Sequence, residues 1–262
     1  MKLHNKVAII TGGSRGIGKG ISLKFAEEGA TVVIAATTLE PAQALADEIN
    51  AAGGTSLAVQ TDVSNFDSVK AMIATTLERF GSIDILVNNA GGSAREKMSL
   101  FCDSEESTWD YVLGTNMMGV FYTCRAVINH MLEKGSGSII NIGSVAGMIG
   151  FASQVDYSAS KGAVIAFTQA LAKETTPRGV RVNCVSPGPI KSDAGRNIPP
   201  ELQVKLAKSD IGQSTGFGRF GNPDDIANLV TLLAGEEGKF ISGQNYPVCG
   251  LMNLGLLTPL GG

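Results

Sequence analysis

Hydrophobic positions along the chain fall into two alternating kinds of run. Short, continuous β-branched or apolar stretches occupy residues 7–10, 32–35, 57–60, 83–87, 138–142 and 180–185, and a last one is expected near 245–248. Continuity rather than alternation predicts strands covered on both faces. Between them, apolar residues recur at helical spacing over 17–28, with Ile21, Phe25 and Ala26 on one side, and again over 41–52 and 66–80. The polar group Asp62-Val-Ser-Asn-Phe-Asp67 supplies cap-type residues ahead of the third of these. Strand–helix alternation of this kind predicts βαβ crossovers and a parallel sheet. Residues 189–220 break the pattern. They are rich in Gly, Pro, Ser and charge, with helical character only over 200–208, as expected of a lid or binding loop, or of a passive surface excursion, inside a single domain spanning 1–262.

Composition narrows the function classes. Hydrophobic residues make up 44% and charged residues 17%, enough to bury a core and too apolar for disorder. The net charge is −3 and the 21 Lys and Arg are scattered, so no nucleic-acid surface is expected. Cys102, Cys124, Cys184 and Cys249 have no metal-site spacing, and His4 and His130 lie far apart; no metal is expected, and the thiols read as reduced and in or near the core. The opening residues lack the form of a signal peptide, and no run is long enough to span a bilayer. The expectation is a cytoplasmic enzyme with no membrane partner.

The first strand runs into Thr11-Gly-Gly-Ser-Arg-Gly-Ile-Gly18 and then the first helix. Glycines allow a sharp turn and close approach to a ligand, and the helix start offers N–H groups and a positive dipole end to a pyrophosphate. Gly12, Ser14, Arg15, Gly16, Ile17 and Gly18 are therefore candidate cofactor-binding residues. In dinucleotide folds an acid about twenty residues on holds the ribose 2′-hydroxyl. Here the second strand ends Ala35-Ala-Thr-Thr38, with no acid before Glu40. Without that repulsion a 2′-phosphate is tolerated, and Arg15 and Thr37 are placed to meet it, so NADP is favoured over NAD.

Tyr157 and Lys161 are four residues apart at the start of a helical stretch, on one helix face. An ordinary phenol has a pKa of about 10, and a nearby ammonium stabilises its anion. The pair thus suits general acid–base work on a carbonyl or alcohol. Ser144 follows the strand at 138–142, where it can hydrogen-bond a substrate oxygen or merely cap a turn.

Together these residues resemble the short-chain dehydrogenase/reductase family over essentially the full chain. The resemblance is carried by Thr11–Gly18, Asp62-Val63, Asn88-Asn-Ala-Gly91, Asn116, Ser144, Tyr157-x-x-x-Lys161 and Pro187-Gly188. It implies a doubly wound Rossmann-type α/β three-layer sandwich with about seven parallel strands, usually assembled as a homotetramer. It also implies roles. Gly12, Gly16, Ile17 and Gly18 would hold the pyrophosphate, Asp62 and Val63 would flank the adenine, and Asn89, Ala90 and Gly91 would border the cofactor's path. Pro187, Gly188 and Ile190 would contact the nicotinamide. Ser192, where the family often has Thr, would keep a hydroxyl for the carboxamide. Asn116 would hold a helix irregularity and a proton-relaying water; Ser144, Tyr157 and Lys161 would complete the catalytic set, Lys161 also binding the nicotinamide ribose. Val248-Cys-Gly-Leu251 departs from the family's V-x-G-G.

The expected activity is hydride transfer between NADP(H) and a carbonyl or secondary alcohol. The nearest likeness is to reductases of 3-oxoacyl thioesters; sugar, polyol or cyclic-ketone substrates are the alternative. A non-catalytic nucleotide sensor is the rival from another class, and intact Asn116, Ser144, Tyr157 and Lys161 speak against it. Arg95, Lys97, Lys191 and Arg196 follow the segments expected at the pocket mouth, and at least one is expected to face an anionic part of the substrate.

Overall fold

In the computed structural model, residues 1–191 and 215–255 are described. They form seven parallel strands in the order β3-β2-β1-β4-β5-β6-β7, the doubly wound arrangement implied by the sequence. The strands are β1 (Val7–Thr11), β2 (Thr31–Ala36), β3 (Thr55–Gln60), β4 (Ile85–Asn88), β5 (Gly137–Ile142), β6 (Val180–Pro187) and β7 (Asn245–Val248). The helices between them are α1 (Gly16–Glu27), α2 (Leu39–Ala51), α3 (Phe66–Phe80), α4 (Glu106–Leu113), α5 (Gly119–Lys134), α6 (Ala146–Ile149), α7 (Val155–Thr175) and α8 (Pro223–Ala234).

Strand residues alternate between the faces, so each face has its own core. On one, Ile10, Ile34, Ile85 and Ile140 pack against Phe25 of α1, Leu45 of α2 and Val230 of α8. On the other, Ile9, Val33, Leu86 and Ile139 pack against Met72 of α3, Met131 of α5 and Val164 of α7. Helices on both faces of a parallel sheet make the three layers. Close approach of α1 to α8 depends on Gly20, where a Cβ would lie 2.6 Å from the Pro223 side chain.

Most predicted ends shift by a residue or two, and one shift has a clear cause. The fourth strand begins at Ile85, two residues after the apolar run starts. Ile83 donates its N–H to His130 Nε2 (3.1 Å), and the Asp84 carboxylate accepts the Val7 N–H (2.8 Å) while ion-pairing with Lys134. Side chains thus satisfy the backbone just before the ladder begins. Helices α4, α5 and α8 were not picked out from the sequence, and the predicted helix at 200–208 lies outside the described residues. All four cysteines are free; Cys124, Cys184 and Cys249 are buried, but Cys102 is exposed because it sits on the single-turn segment Phe101–Asp103. Among the described residues no cluster fit for a metal occurs, and no helix is long and apolar enough to cross a membrane.

Candidate active site

Strand order reverses at β1, whose neighbours are β2 on one side and β4 on the other. Ligands of open parallel sheets gather at the carboxyl ends beside such a reversal. The glycine turn lies there. Gly12 has φ +62°, and a Cβ on it would come within 2.9 Å of Ala90 Cα. A Cβ on Gly18 would collide with the Gly12 carbonyl oxygen. The turn is tied to the end of β4 by Asn89, whose Nδ2 donates to the carbonyls of Thr11 (3.0 Å) and Gly12 (3.1 Å), and by Thr11 Oγ1, which accepts from the N–H groups of Asn89 and Ala90.

Helix α1 begins with no side-chain cap and no acidic residue in its first turn. It shares the missing cap with α2, α4 and α7, whereas Asn65 caps α3 and a capping box with Asn222 opens α8, and it is the glycine turn before it that sets α1 apart. The first N–H groups of α1 are therefore left for an external acceptor, and this donor set fits a pyrophosphate. Arg15 is the extended residue just before α1, exposed and without an ion pair among the described residues; Thr37 is exposed just past β2. Asp62 is held by its own turn, accepting from the Ser64 N–H (2.9 Å) and hydroxyl (2.7 Å), while the Val63 side chain packs where a Gly119 Cβ would be.

The second group of residues comes from α4 to α7. Between α4 and α5 the segment Gly114–Met118 winds as a π-helix, and Asn116 lies within it, fully buried. Its side chain grips Gly92 from both ends, accepting the Gly92 N–H (2.9 Å) and donating to the Gly92 carbonyl (2.9 Å), and also reaches Ser160 Oγ at 3.2 Å. Gly91 sits so close that a Cβ there would strike Asn116 Oδ1 and lie 3.5 Å from Lys161 Nζ.

Lys161, only 5% exposed, donates to the Ile142 carbonyl at the end of β5 (2.8 Å) and lies 5.9 Å from the centre of the Tyr157 ring. No carboxylate ion-pairs with it among the described residues. Burial pushes its ammonium down to about 8. Burial also raises the Cys184 thiol to about 11, so it stays neutral in the physiological range. Tyr157 is on the first turn of α7, half-buried. Ser144, two residues beyond β5, is buried and its Oγ accepts the N–H of Ala146, the first residue of α6, at 3.1 Å, while lying at the ligand edge of the sheet.

At the end of β6, Gly188 donates its N–H to Val248 O (3.0 Å), and a Cβ there would meet Cys249 at 2.7 Å. Ile190 bridges to Gly221, and Ser192 lies outside the described residues, as does most of the expected lid. Of the four basic residues expected at the mouth, Arg95 and Lys97 lie on the single turn Arg95–Lys97, with Lys97 facing Glu105 at 4.0 Å, Lys191 is exposed, and Arg196 lies outside the described residues. Lys97 lines a small cleft with Met98, Phe101, Trp109, Val155 and Asp156, next to Tyr157.

Sequence reasoning named Thr11 and Asn88 only within motifs and Cys184 only as a core thiol, and missed that with Asn141 they form one buried polar row beneath the site. Asn88, Asn141 and Cys184 are register partners on β4, β5 and β6, and Thr11 continues the row on β1. Alternation within each strand was the signal that could have shown them sharing a face.

A glycine turn feeding an uncapped helix, beside a tyrosine and a buried lysine one turn apart, defines a dinucleotide-dependent oxidoreductase site. A family model described as short chain dehydrogenase matches residues 6–203, and the chain belongs to the short-chain dehydrogenase/reductase family. It is 42% identical over 248 residues to the 3-oxoacyl-(acyl-carrier-protein) reductase FabG of Staphylococcus aureus, covering 94% of this chain and 98% of that one. It is 40% identical over 250 residues to a hydroxy(phenyl)methyl-succinyl-CoA dehydrogenase subunit, BbsD, of Thauera aromatica, covering 95% and 97%. The crystal structure of gox2181 superposes with a TM-score of 0.90 at 32% identity, covering 97% of each chain. The protein is an NAD(P)-dependent oxidoreductase.

Proposed function

We propose that the chain reduces a 3-oxoacyl thioester with NADPH, giving the 3-hydroxyacyl thioester. The observation that carries the chemistry is Lys161, a buried cation 5.9 Å from the Tyr157 ring centre. Bound at the glycine turn, the nicotinamide cofactor supplies the hydride. Gly12, Ser14, Gly16, Ile17 and Gly18 bind its pyrophosphate; Asp62, Val63, Asn89, Ala90 and Gly91 line the adenosine path; Pro187, Gly188, Ile190 and Ser192 face the nicotinamide end. Ser144 and Tyr157 hold the substrate carbonyl oxygen, and Tyr157 gives it a proton. A positive charge at Lys161 stabilises negative charge on the phenolic oxygen as that proton leaves. Asn116, fixed between Gly92 and Ser160, holds the loop beneath the substrate.

The thioester assignment is supported by the two relatives, whose names both specify acyl thioesters. NADP is favoured over NAD by the acid-free end of β2 and by exposed Arg15 and Thr37. A cytoplasmic homotetramer completes the reading; the exposed Phe121 ring, 4.4 Å from Phe167 across α5 and α7, suits subunit packing.

The test is a turnover screen by cofactor absorbance, with NADPH and NADH against acetoacetyl-CoA, sugars and cyclic ketones. Acetoacetyl-CoA with NADPH is expected to give the highest kcat/KM. Faster turnover of a sugar or cyclic ketone overturns the substrate assignment, and cofactor binding without turnover of any carbonyl favours a sensor. Ala36→Asp is expected to move the preference toward NADH about tenfold through repulsion of the 2′-phosphate. Tighter wild-type binding of NADH than NADPH would refute the cofactor assignment.

A further inference from the structure

Helix α7 carries Tyr157 and Lys161, and its apolar contacts come from buried Val164 and Ala172 and from partly buried Ile165, Phe167 and Leu171. Of its six buried residues, Ser160, Lys161, Val164, Thr168, Ala172 and Thr175, only Val164 and Ala172 are apolar, and both are small. Apolar contact is non-directional and does little to fix where a helix sits along its own axis. Hydrogen bonds do fix it, and α7 has three polar anchors spaced seven residues, or about two turns, apart. Lys161 donates to the Ile142 carbonyl (2.8 Å), Thr168 Oγ1 accepts from Asn141 Nδ2 (2.9 Å), and Thr175 Oγ1 donates to the Val180 carbonyl (3.0 Å).

The middle anchor is the end of a longer chain of side chains. Thr123 Oγ1 of α5 donates to Asn88 Oδ1 (2.7 Å), Asn88 Nδ2 donates to Asn141 Oδ1 (2.8 Å), and Asn141 passes on to Thr168, which in turn donates to the Val164 carbonyl (2.8 Å). Asn88 and Asn141 face one another in register, and all four residues are buried. Asn141 has one side-chain partner on each side, Asn88 and Thr168, so losing the Thr168 hydroxyl leaves its buried amide N–H without its acceptor.

We propose that Asn141 and Thr168 are positioning residues that set the axial placement of α7 against β5 and so hold Tyr157 opposite Ser144. Asn141 is three residues before Ser144, so the strand end that presents the serine is the one that grips the helix presenting the tyrosine. Lys161 and Ser144 then flank one strand terminus held rigidly by its own neighbour. A misplacement of about 1 Å from outside the chemistry can cost up to about 10²-fold in rate. This rests on the catalytic reading of Tyr157 given above.

The decisive variant is Thr168→Val, which removes the hydroxyl and keeps the shape; Asn141→Ser, too short to bridge, is the second. With acetoacetyl-CoA and NADPH, well below the melting temperature of each variant, both are expected to lower kcat about tenfold with KM and NADPH Kd within twofold. Thr168→Ser is expected to restore kcat. Crystal structures of the wild type and Thr168→Val are expected to show Tyr157 displaced relative to Ser144, a readout that needs no substrate. The double variant is expected to be no slower than the slower single one. A lower Tm with unchanged kcat and unchanged Tyr157 position overturns the proposal, leaving the chain of amides a stabilising device only. Near-normal kcat in a parallel Tyr157→Phe control would instead overturn the catalytic reading itself, whatever Thr168→Val shows.

Discussion

Under helices α1, α2 and α8 the sheet presents an apolar face. Its buried polar side chains, Ser138 and Asn183, lie on β5 and β6 and end on backbone carbonyls, those of Leu233 and Ile241. Under α3, α5 and α7 the other face is apolar only until its last row. There Thr11, Asn88, Asn141 and Cys184 run across four adjacent strands and bond to loops, to helices and to each other. The first face is held by burial, which tolerates small slips; the second is held at its ligand edge by bonds of fixed length. The tyrosine and lysine belong to the second. Affinity for a cofactor can be built on a packed platform, whereas proton transfer needs atoms placed to within a fraction of an ångström.

Breaking the second face at its chemistry gives the largest effect. Tyr157→Phe is expected to lower kcat by about 10²–10⁴-fold while cofactor binding survives, because one proton-bearing oxygen is lost with little volume. A stopped assay with normal NADPH titration checks it, and near-wild-type kcat would sink the assignment.

Lys161→Met tests the cost of the buried charge. An ammonium lowered from its ordinary 10.5 to about 8 favours its neutral form in the folded state. The unfolded chain therefore binds more protons between those values, and stability rises with pH across that window. Below pH 8 the full penalty of about 3 kcal/mol stands. Lys161→Met is thus expected to melt higher than wild type at pH 7, with the advantage fading between pH 8 and 10.5. A melting difference independent of pH over that range would contradict it.

On the cofactor side, Gly12→Ala combines a positive φ with a Cβ directed at Ala90. Its NADPH Kd is expected to rise on the order of tenfold or more as the turn is displaced. Smallest of all, Ile34→Val in the apolar face should cost about 0.5–1.5 kcal/mol of stability and leave kcat alone. A change in kcat there would mean that the two faces are coupled more tightly than their packing suggests.

Apolar runs and their spacing placed the inner strands of the sheet because a strand buried on both faces is continuously apolar, while the half-exposed edge strands β3 and β7 were placed by their position in the strand–helix alternation. The glycine turn, Tyr157 and Lys161 are weak signals one by one, and they stood out only through the joint order and spacing of the motifs that carry the family resemblance. What escaped notice was polar and internal. Asn141 and Thr168 look like ordinary polar positions in a strand and a helix until the fold brings them within hydrogen-bond distance. Helix α5 was hidden because its buried side includes Gly119, Thr123 and Cys124, small or polar residues that blur a hydrophobic stripe. The chain places Cys102 outside the core for a local reason, a single tight turn that no spacing rule marks.

The π-helical segment at Gly114–Met118 acts as a phase shifter in an otherwise continuous rod from Glu106 to Lys134. Each residue of a regular helix advances the screw by about 100°. The wider turn absorbs roughly one additional residue. Deleting one residue there is expected to yield a straighter, more regular helix and a worse protein. With α5 seated by Val127 and Met131, the α4 end would be rotated so that Thr108 and Val112 no longer face inward. Length and twist in this rod are tied together, and tolerance to indels should fall sharply within five residues that look, by composition, like unremarkable helix.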